Sequence, residues 1–149
     1  MIPVGVCAFP QPAANAPTTT AYANYIDEII ERDGLCVRRL ESAELADALG
    51  DLKVLLTIGE GTLPESMTGW VAGGGRWISI GGVCGLPEVL GVETLPPAYA
   101  LWGAGACTLG EGYLQPEPEN HVLTEHIEIP LHFFNGIAAR ATTGKAIAR

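Results

Sequence analysis

Short apolar runs in this chain alternate with segments whose apolar residues recur every three or four positions. Ile2 to Phe9 is an apolar run closed by Pro10, the pattern of a buried first strand. Gln11 to Pro17, rich in Pro, Ala and Asn, reads as a loop. From Thr18 to Asp33, Tyr22, Tyr25, Ile26, Ile29 and Ile30 fall at helical spacing, with Asp27, Glu28, Glu31 and Arg32 on the other face. This predicts a helix capped by a threonine of Thr18 to Thr20 and ended by Gly34. Leu35 to Leu40 is a second strand, and Ser42 caps a short helix through Leu49 that Gly50 terminates. Leu52 to Ile58 is the third strand. It opens into Gly59-Glu60-Gly61-Thr62, with Thr62 as cap and Pro64 near the first turn of a helix striped by Met67, Trp70 and Val71. Gly73-Gly74-Gly75 stops that helix, and Arg76 to Ile80 forms the fourth strand. The fourth strand breaks at Gly81-Gly82-Val83-Cys84-Gly85, before a brief helix around Pro87 to Leu90.

Strands alternating with helices in this order imply an α/β fold, a mostly parallel sheet with right-handed crossovers and helices on its faces. After Gly91 the pattern changes. Pro96-Pro97, several glycines and Pro116 to Pro118 punctuate short apolar runs, so a β-rich C-terminal extension is expected. Leu131 to Ala139 and Lys145 to Ala148, joined through Thr142-Thr143-Gly144, read as a terminal hairpin. The 149 residues suit one domain. The chain stops at Arg149 inside a strand pattern with no polar tail, which suggests a piece of a longer protein.

Composition narrows the partners. Hydrophobic residues make up 48% of the chain and charged ones 17%, enough apolar side chain for a packed core. Eight basic and seventeen acidic residues give a formal charge of −9, and the few cations are scattered, which argues against nucleic acid. No run approaches the roughly 20 apolar residues of a membrane span, and no basic region followed by an apolar run opens the chain, so neither membrane nor signal peptide is expected. Cys7, Cys36, Cys84 and Cys107 lie far apart with no metal-ligand or redox spacing. Three sit in strand-like runs, where cysteine behaves as a small buried hydrophobe, so a reducing, cytoplasmic setting is expected.

The order strand, helix, strand, short helix, strand, glycine loop, helix, strand and Gly-rich turn resembles the class I glutamine amidotransferase-like superfamily. Trp70-Val71-Ala72-Gly73-Gly74-Gly75, Ile78-Ser79-Ile80-Gly81-Gly82 and Leu90-Gly91-Val92 are similar to its non-glutaminase branches, among them trehalose-utilisation-like domains and β-galactosidase trimerisation domains. Pro130-Leu131-His132-Phe133-Phe134 is similar to a further segment of those branches. The likeness covers about two thirds of the chain and implies a three-layer α/β/α sandwich with a flavodoxin-like sheet.

In the glutaminase members a sharp turn after the fourth strand lifts a cysteine above the sheet as nucleophile. The matching run here is Gly82-Val83-Cys84-Gly85-Leu86, which singles out Cys84. A helix N-terminus beyond it would lower the thiol pKa, and the amide of Gly85 with one from Gly59 or Gly61 would form an oxyanion hole. The family base is a histidine followed two places later by a glutamate, a spacing met by His126-Ile127-Glu128. Departures accompany the likeness: the second elbow glycine is displaced to Gly85, the glutamine that should follow is Pro87 or Glu88, and the third-strand loop reads Ile58-Gly59-Glu60-Gly61 instead of Pro-Gly-Gly.

Other residues bear on ligands. Glu60, between two glycines at the carboxyl end of a central strand, stands with Glu88 as an acid pair at the mouth of the sheet, where open α/β sheets hold small molecules. Gly59-Glu60-Gly61 is not a phosphate loop, because no Lys-Ser or Lys-Thr follows it. Trp77 and Trp102 are candidates for stacking on a sugar or, more plainly, structural aromatics. His132 reads as a strand residue, and His121, His126 and His132 lack paired ligand spacing, so neither metal nor cofactor is expected.

The leading expectation is therefore a non-catalytic or degenerate amidotransferase-like domain that serves as an assembly or binding module in a carbohydrate-related protein. Its expected partners are a second copy or other domains of a parent chain, with a small molecule at Gly59, Glu60, Gly61, Gly85 and Glu88 as a further candidate. The alternative is a cysteine-dependent amidotransferase or hydrolase using Cys84, His126 and Glu128.

Overall fold

The computed structural model describes residues 4–10, 16–94, 108–117, 122–137 and 139–148. The chain divides into two compact units, Met1–Gly85 and Leu86–Arg149. The first unit carries β1 (Val4–Ala8), α1 (Ala16–Arg32), β2 (Arg38–Arg39), α2 (Leu45–Ala48), β3 (Val54–Ile58), α3 (Met67–Ala72) and β4 (Arg76–Ile80). Its four strands form one parallel sheet in the order β2-β1-β3-β4, with Cys7 opposite Thr57 and Thr57 opposite Ser79. The expected α/β fold with a parallel sheet is present.

Helix α1 begins at Ala16, so Thr18 to Thr20 lie inside it rather than at its cap. Pro17 suits the first turn, where its missing N–H would have had no helical partner. The helix ends as expected at Gly34, whose φ is +64°. The amide of Gly34 donates to the Glu31 carbonyl and that of Leu35 to the Ile30 carbonyl, the paired bonds of a Schellman ending. Ile26 and Ile30 pack with Val6, Leu56 and Ile58 on one face of the sheet. Tyr25 and Ile29 of the same predicted stripe are exposed instead.

The opposite face carries Gly5, Cys7, Leu55 and Thr57, and the Leu40 and Leu52 side chains lie over Gly5. Cys7, Leu55 and Thr57 are fully buried there. Only Arg38 and Arg39 of the predicted second strand pair with β1, and Cys36 is exposed. The short helix is a 3-10 turn at Ser42–Glu44, then α2, then a second 3-10 turn at Leu49–Asp51. Its cap is Glu41 and not Ser42, with the Glu41 amide donating to the Glu44 carboxylate at 2.8 Å. Helix α3 starts later than Thr62 and Pro64 suggested, with Ser66 as N-cap, because Pro64 contributes its carbonyl to the Met67 amide and lies outside the helix.

The second unit contains β5 (Val92–Thr94), β6 (Thr108–Leu114), β7 (Leu131–Ile137) and β8 (Ala139–Ala141). It is β-rich as expected, but its pairing corrects the terminal hairpin. β7 runs antiparallel to β6, β8 runs antiparallel to β5, and Ala148 bridges to Pro116. The amides of Thr142 and Gly144 both donate to the Gly91 carbonyl, so the presumed hairpin turn docks on a remote strand entrance. The local Thr-Thr-Gly turn signal yields to pairings that satisfy backbone groups over long sequence separations. The brief helix at Pro87 to Leu90 is also absent. That stretch is a pair of turns, Val89 to the Leu86 carbonyl and Gly91 to the Glu88 carbonyl.

Among the described residues no helix is long and apolar enough to cross a membrane.

Candidate functional site

The carboxyl ends of β3 and β4 bring together the loop Gly59-Glu60-Gly61 and the turn Gly81 to Gly85. The two pack so closely that a Cβ on Gly82 would fall 2.4 Å from the Gly59 carbonyl oxygen and 2.8 Å from Glu60 Oε2. Only glycine fits at that crossing. The Val83 amide donates to Glu60 Oε2 at 2.7 Å, so the acid predicted to hold a ligand caps the neighbouring turn.

Below the turn, polar groups of the two strands form a chain of donors. Trp77 Nε1 donates to Thr57 Oγ1 at 2.9 Å, Thr57 Oγ1 to Ser79 Oγ at 3.2 Å, and Ser79 Oγ to the Gly82 carbonyl at 2.7 Å. Sequence reading passed over Thr57 and Ser79. Their signal was present: each is the one hydroxyl residue in an otherwise apolar strand core, and the two stand opposite each other in register. Trp77 serves as a donor to this chain and is half-buried.

Cys84 sits at the top of this framework with φ +49°, the only non-glycine positive φ among the described residues. Gly85 follows at φ +70°. A positive φ at a non-glycine residue is strained backbone, and holding it there costs about 1–2 kcal/mol. The thiol itself is turned inward. Cys84 is 5% exposed, and its Sγ donates to the Gly59 carbonyl at 3.7 Å. Burial is the main cause that raises its pKa above 9.0, and the Glu60 carboxylate adds to the rise. The Gly61 amide and the Thr57 hydroxyl act the other way without reversing it. Cys7, on the same buried face, is pushed up to about 11, first by burial and then by Glu41, Cys84 and Glu44.

One support expected for a reactive thiolate is missing, because the turns after Gly85 offer no helix N-terminus. Of the two amides expected to join that of Gly85 in an oxyanion hole, Gly59's is engaged with the Ile80 carbonyl at 2.8 Å. Of the predicted site residues, the first unit thus gathers Gly59, Glu60, Gly61, Cys84 and Gly85.

Glu88, His126 and Glu128 belong to the second unit. Glu88 and Glu128 are exposed. The His126 side chain is 92% exposed, and its Nε2 lies 3.4 Å from the carboxylate of Glu125. His132 stacks on Tyr113 across the β6–β7 ladder, with ring centroids 4.9 Å apart. Cys107, Trp102 and His121 lie outside the described residues. No three His, Cys, Asp or Glu side chains among the described residues converge to hold a metal ion.

No protein-family model, curated protein or solved structure matches this chain.

Proposed function

We propose that the chain is a class I glutamine amidotransferase-like domain in which thiol catalysis is lost and which serves as an assembly or binding module, in a carbohydrate-related cytoplasmic protein. Three features support this reading. The parallel order β2-β1-β3-β4 suits a flavodoxin-like sheet. Coverage by α1 on one face and by Leu40 and Leu52 on the other suits an α/β/α sandwich. The left-handed Cys84 after β4 suits an inherited elbow.

The observation that carries the loss of catalysis is the state of Cys84. A thiol must ionise and reach its substrate to attack a carbonyl carbon. This one is buried, bonded to the Gly59 carbonyl and raised in pKa by its burial. The assembly role draws on exposed apolar surface, with Tyr25 and Ile29 on α1 and Ile78 on β4 left uncovered. The second reading, a thiol amidotransferase or hydrolase with His126 as base and Glu128 as its orienter, draws on the positive φ of Cys84 and on the Gly61 amide, which favours its thiolate.

Alkylation with iodoacetamide across pH, read by mass spectrometry, separates the two. Cys36 is exposed and provides the internal reference. Cys84 is expected to label at least ~10-fold more slowly than Cys36 at neutral pH, in step with Cys7. Fast labelling of Cys84 with an apparent pKa below about 8.5 overturns the proposal and restores the enzyme.

A further inference from the structure

The parallel sheet of the first unit has two outer strands, and they are guarded differently. Strand β2 pairs with β1 through Arg38 and Arg39 alone, both exposed. A very short, charged edge is one way in which a sheet is kept from pairing with another chain. Strand β4, at the other edge, lacks such devices. Its five residues hold an unbroken register with β3 from Arg76 to Ile80, without proline or bulge, and its one charge is Arg76 at the end. Ile78 at its centre is 52% exposed, on the sheet face where Leu56, its partner in register, packs with the α1 cluster.

Two backbone bonds determine which groups the free edge presents. The Arg76 amide donates to the Lys53 carbonyl at 3.0 Å, and the Gly59 amide donates to the Ile80 carbonyl at 2.8 Å. Alternate residues of a strand turn their N–H and C=O groups to the same neighbour, so Arg76, Ile78 and Ile80 address β3. The N–H and C=O groups of Trp77 and Ser79 therefore point outward, where among the described residues no strand pairs with them.

We propose that β4 pairs antiparallel with β4 of a second copy of this chain, about a two-fold axis through Ile78. Trp77 then exchanges both backbone bonds with Ser79 of the second copy, and Ser79 with Trp77 of the second copy, so the outward donors and acceptors of both edges are all matched. Ile78 meets Ile78 of the second copy in the narrow, non-hydrogen-bonded site, with about 4.5 Å between Cα atoms, and each covers the other's exposed side chain. Charge favours the same orientation. Lys53 and Arg76 stand at the amino edge of the sheet and Glu60 at its carboxyl edge, all exposed. Antiparallel pairing sets the cationic edge of each copy beside the acidic edge of the other, whereas parallel pairing sets like beside like. Charges more than about 8 Å apart are largely screened at physiological ionic strength, so these local charges count for more than the net −9 of each chain. A contact of one strand per copy is small, so the dimer is reversible and forms at micromolar or higher concentration. The pairing rests on the assembly role proposed above and names its partner; it is independent of the fate of Cys84.

The test is sedimentation equilibrium of the whole chain at physiological salt, from micromolar to submillimolar protein, where a reversible monomer–dimer equilibrium is expected. Ile78→Lys places like charges directly opposite each other at an exposed position, and is expected to weaken the dimer roughly 10-fold or more without lowering the melting temperature of the monomer. Cross-linking with diamide reads the register, and decides the matter where Ile78→Lys disturbs folding. In a Cys36→Ser background, Ile78→Cys is expected to give a disulfide-linked dimer, the two thiols passing their electrons and protons to diamide. Arg76→Cys is not, because its two copies lie roughly 13 Å apart in this register. The Cys36→Ser chain itself controls for the remaining thiols. A dimer that survives Ile78→Lys, or equal cross-linking through Ile78→Cys and Arg76→Cys, overturns the pairing but leaves assembly through another surface standing. A parent chain that stays monomeric at every concentration overturns the pairing and self-assembly together.

Discussion

The carboxylate of Glu60 accepts a hydrogen bond from the Val83 amide at 2.7 Å, so a side chain of the loop after β3 fastens the turn after β4. The same carboxylate raises the pKa of the Cys84 thiol. Two substitutions separate these roles. Glu60→Gln retains an acceptor for Val83 but removes the charge, and is expected to shift the alkylation profile of Cys84 to lower pH with little change in stability. Glu60→Ala loses the acceptor as well and is expected to cost about 1 kcal/mol in urea denaturation. An unmoved alkylation profile in Glu60→Gln would show that the carboxylate does not act on the thiol.

Cys84 combines a left-handed backbone with a buried side chain. Glycine adopts that backbone without cost but gives up the buried sulfur, so Cys84→Gly is expected to stay within about 1 kcal/mol of the parent. Valine adds a β-branch where φ is positive and volume where the space is filled, so Cys84→Val is expected to lose about 2 kcal/mol or more. Chemical denaturation of the two variants checks the order. Equal stability of Cys84→Val and Cys84→Gly would remove backbone strain as the deciding factor at this turn.

Cys7 makes stability depend on alkaline pH. Its thiol titrates at about 11 in the folded chain against an ordinary value of 9.0, chiefly because it is buried. Between those values the unfolded chain has released the proton and the folded chain keeps it, so the unfolded state binds fewer protons and stability falls as pH rises. The contribution is intact below about 9 and is lost progressively up to about 11, a loss of about 2–3 kcal/mol. Cys7→Ala lacks this thiol and is expected to show a shallower decline over the same window in urea titrations. Parallel pH slopes for the two proteins would exclude Cys7 as the source.

Strand β4 shows how far a local pattern reaches. The run Arg76 to Ile80 lies between Gly73-Gly74-Gly75 and Gly81-Gly82, and the structure keeps those bounds. Glycines on both sides interrupt regular structure whatever the surroundings, so the limits are written locally. The Gly34 ending of α1 was legible for the same reason. Thr142-Thr143-Gly144 was not, because two remote hydrogen bonds to the Gly91 carbonyl outweigh the turn it would make alone. In the second unit each observed partner lies far along the chain, β6 with β7 and β5 with β8, and periodicity carries no information on register between distant strands.

At the candidate site, glycine spacing was enough to single out Cys84 and the loop around Glu60. What the sequence by itself determined is a parallel α/β arrangement with a cysteine in a glycine-rich turn after its fourth strand, since apolar period and glycine backbone freedom are properties of neighbouring residues. Only the tertiary structure decided that Thr57 and Ser79 share a register, that Glu60 closes on Val83, and that the Cys84 thiol turns inward to the Gly59 carbonyl. Burial and hydrogen-bond partners depend on which segments meet in space, and those contacts join residues more than twenty positions apart.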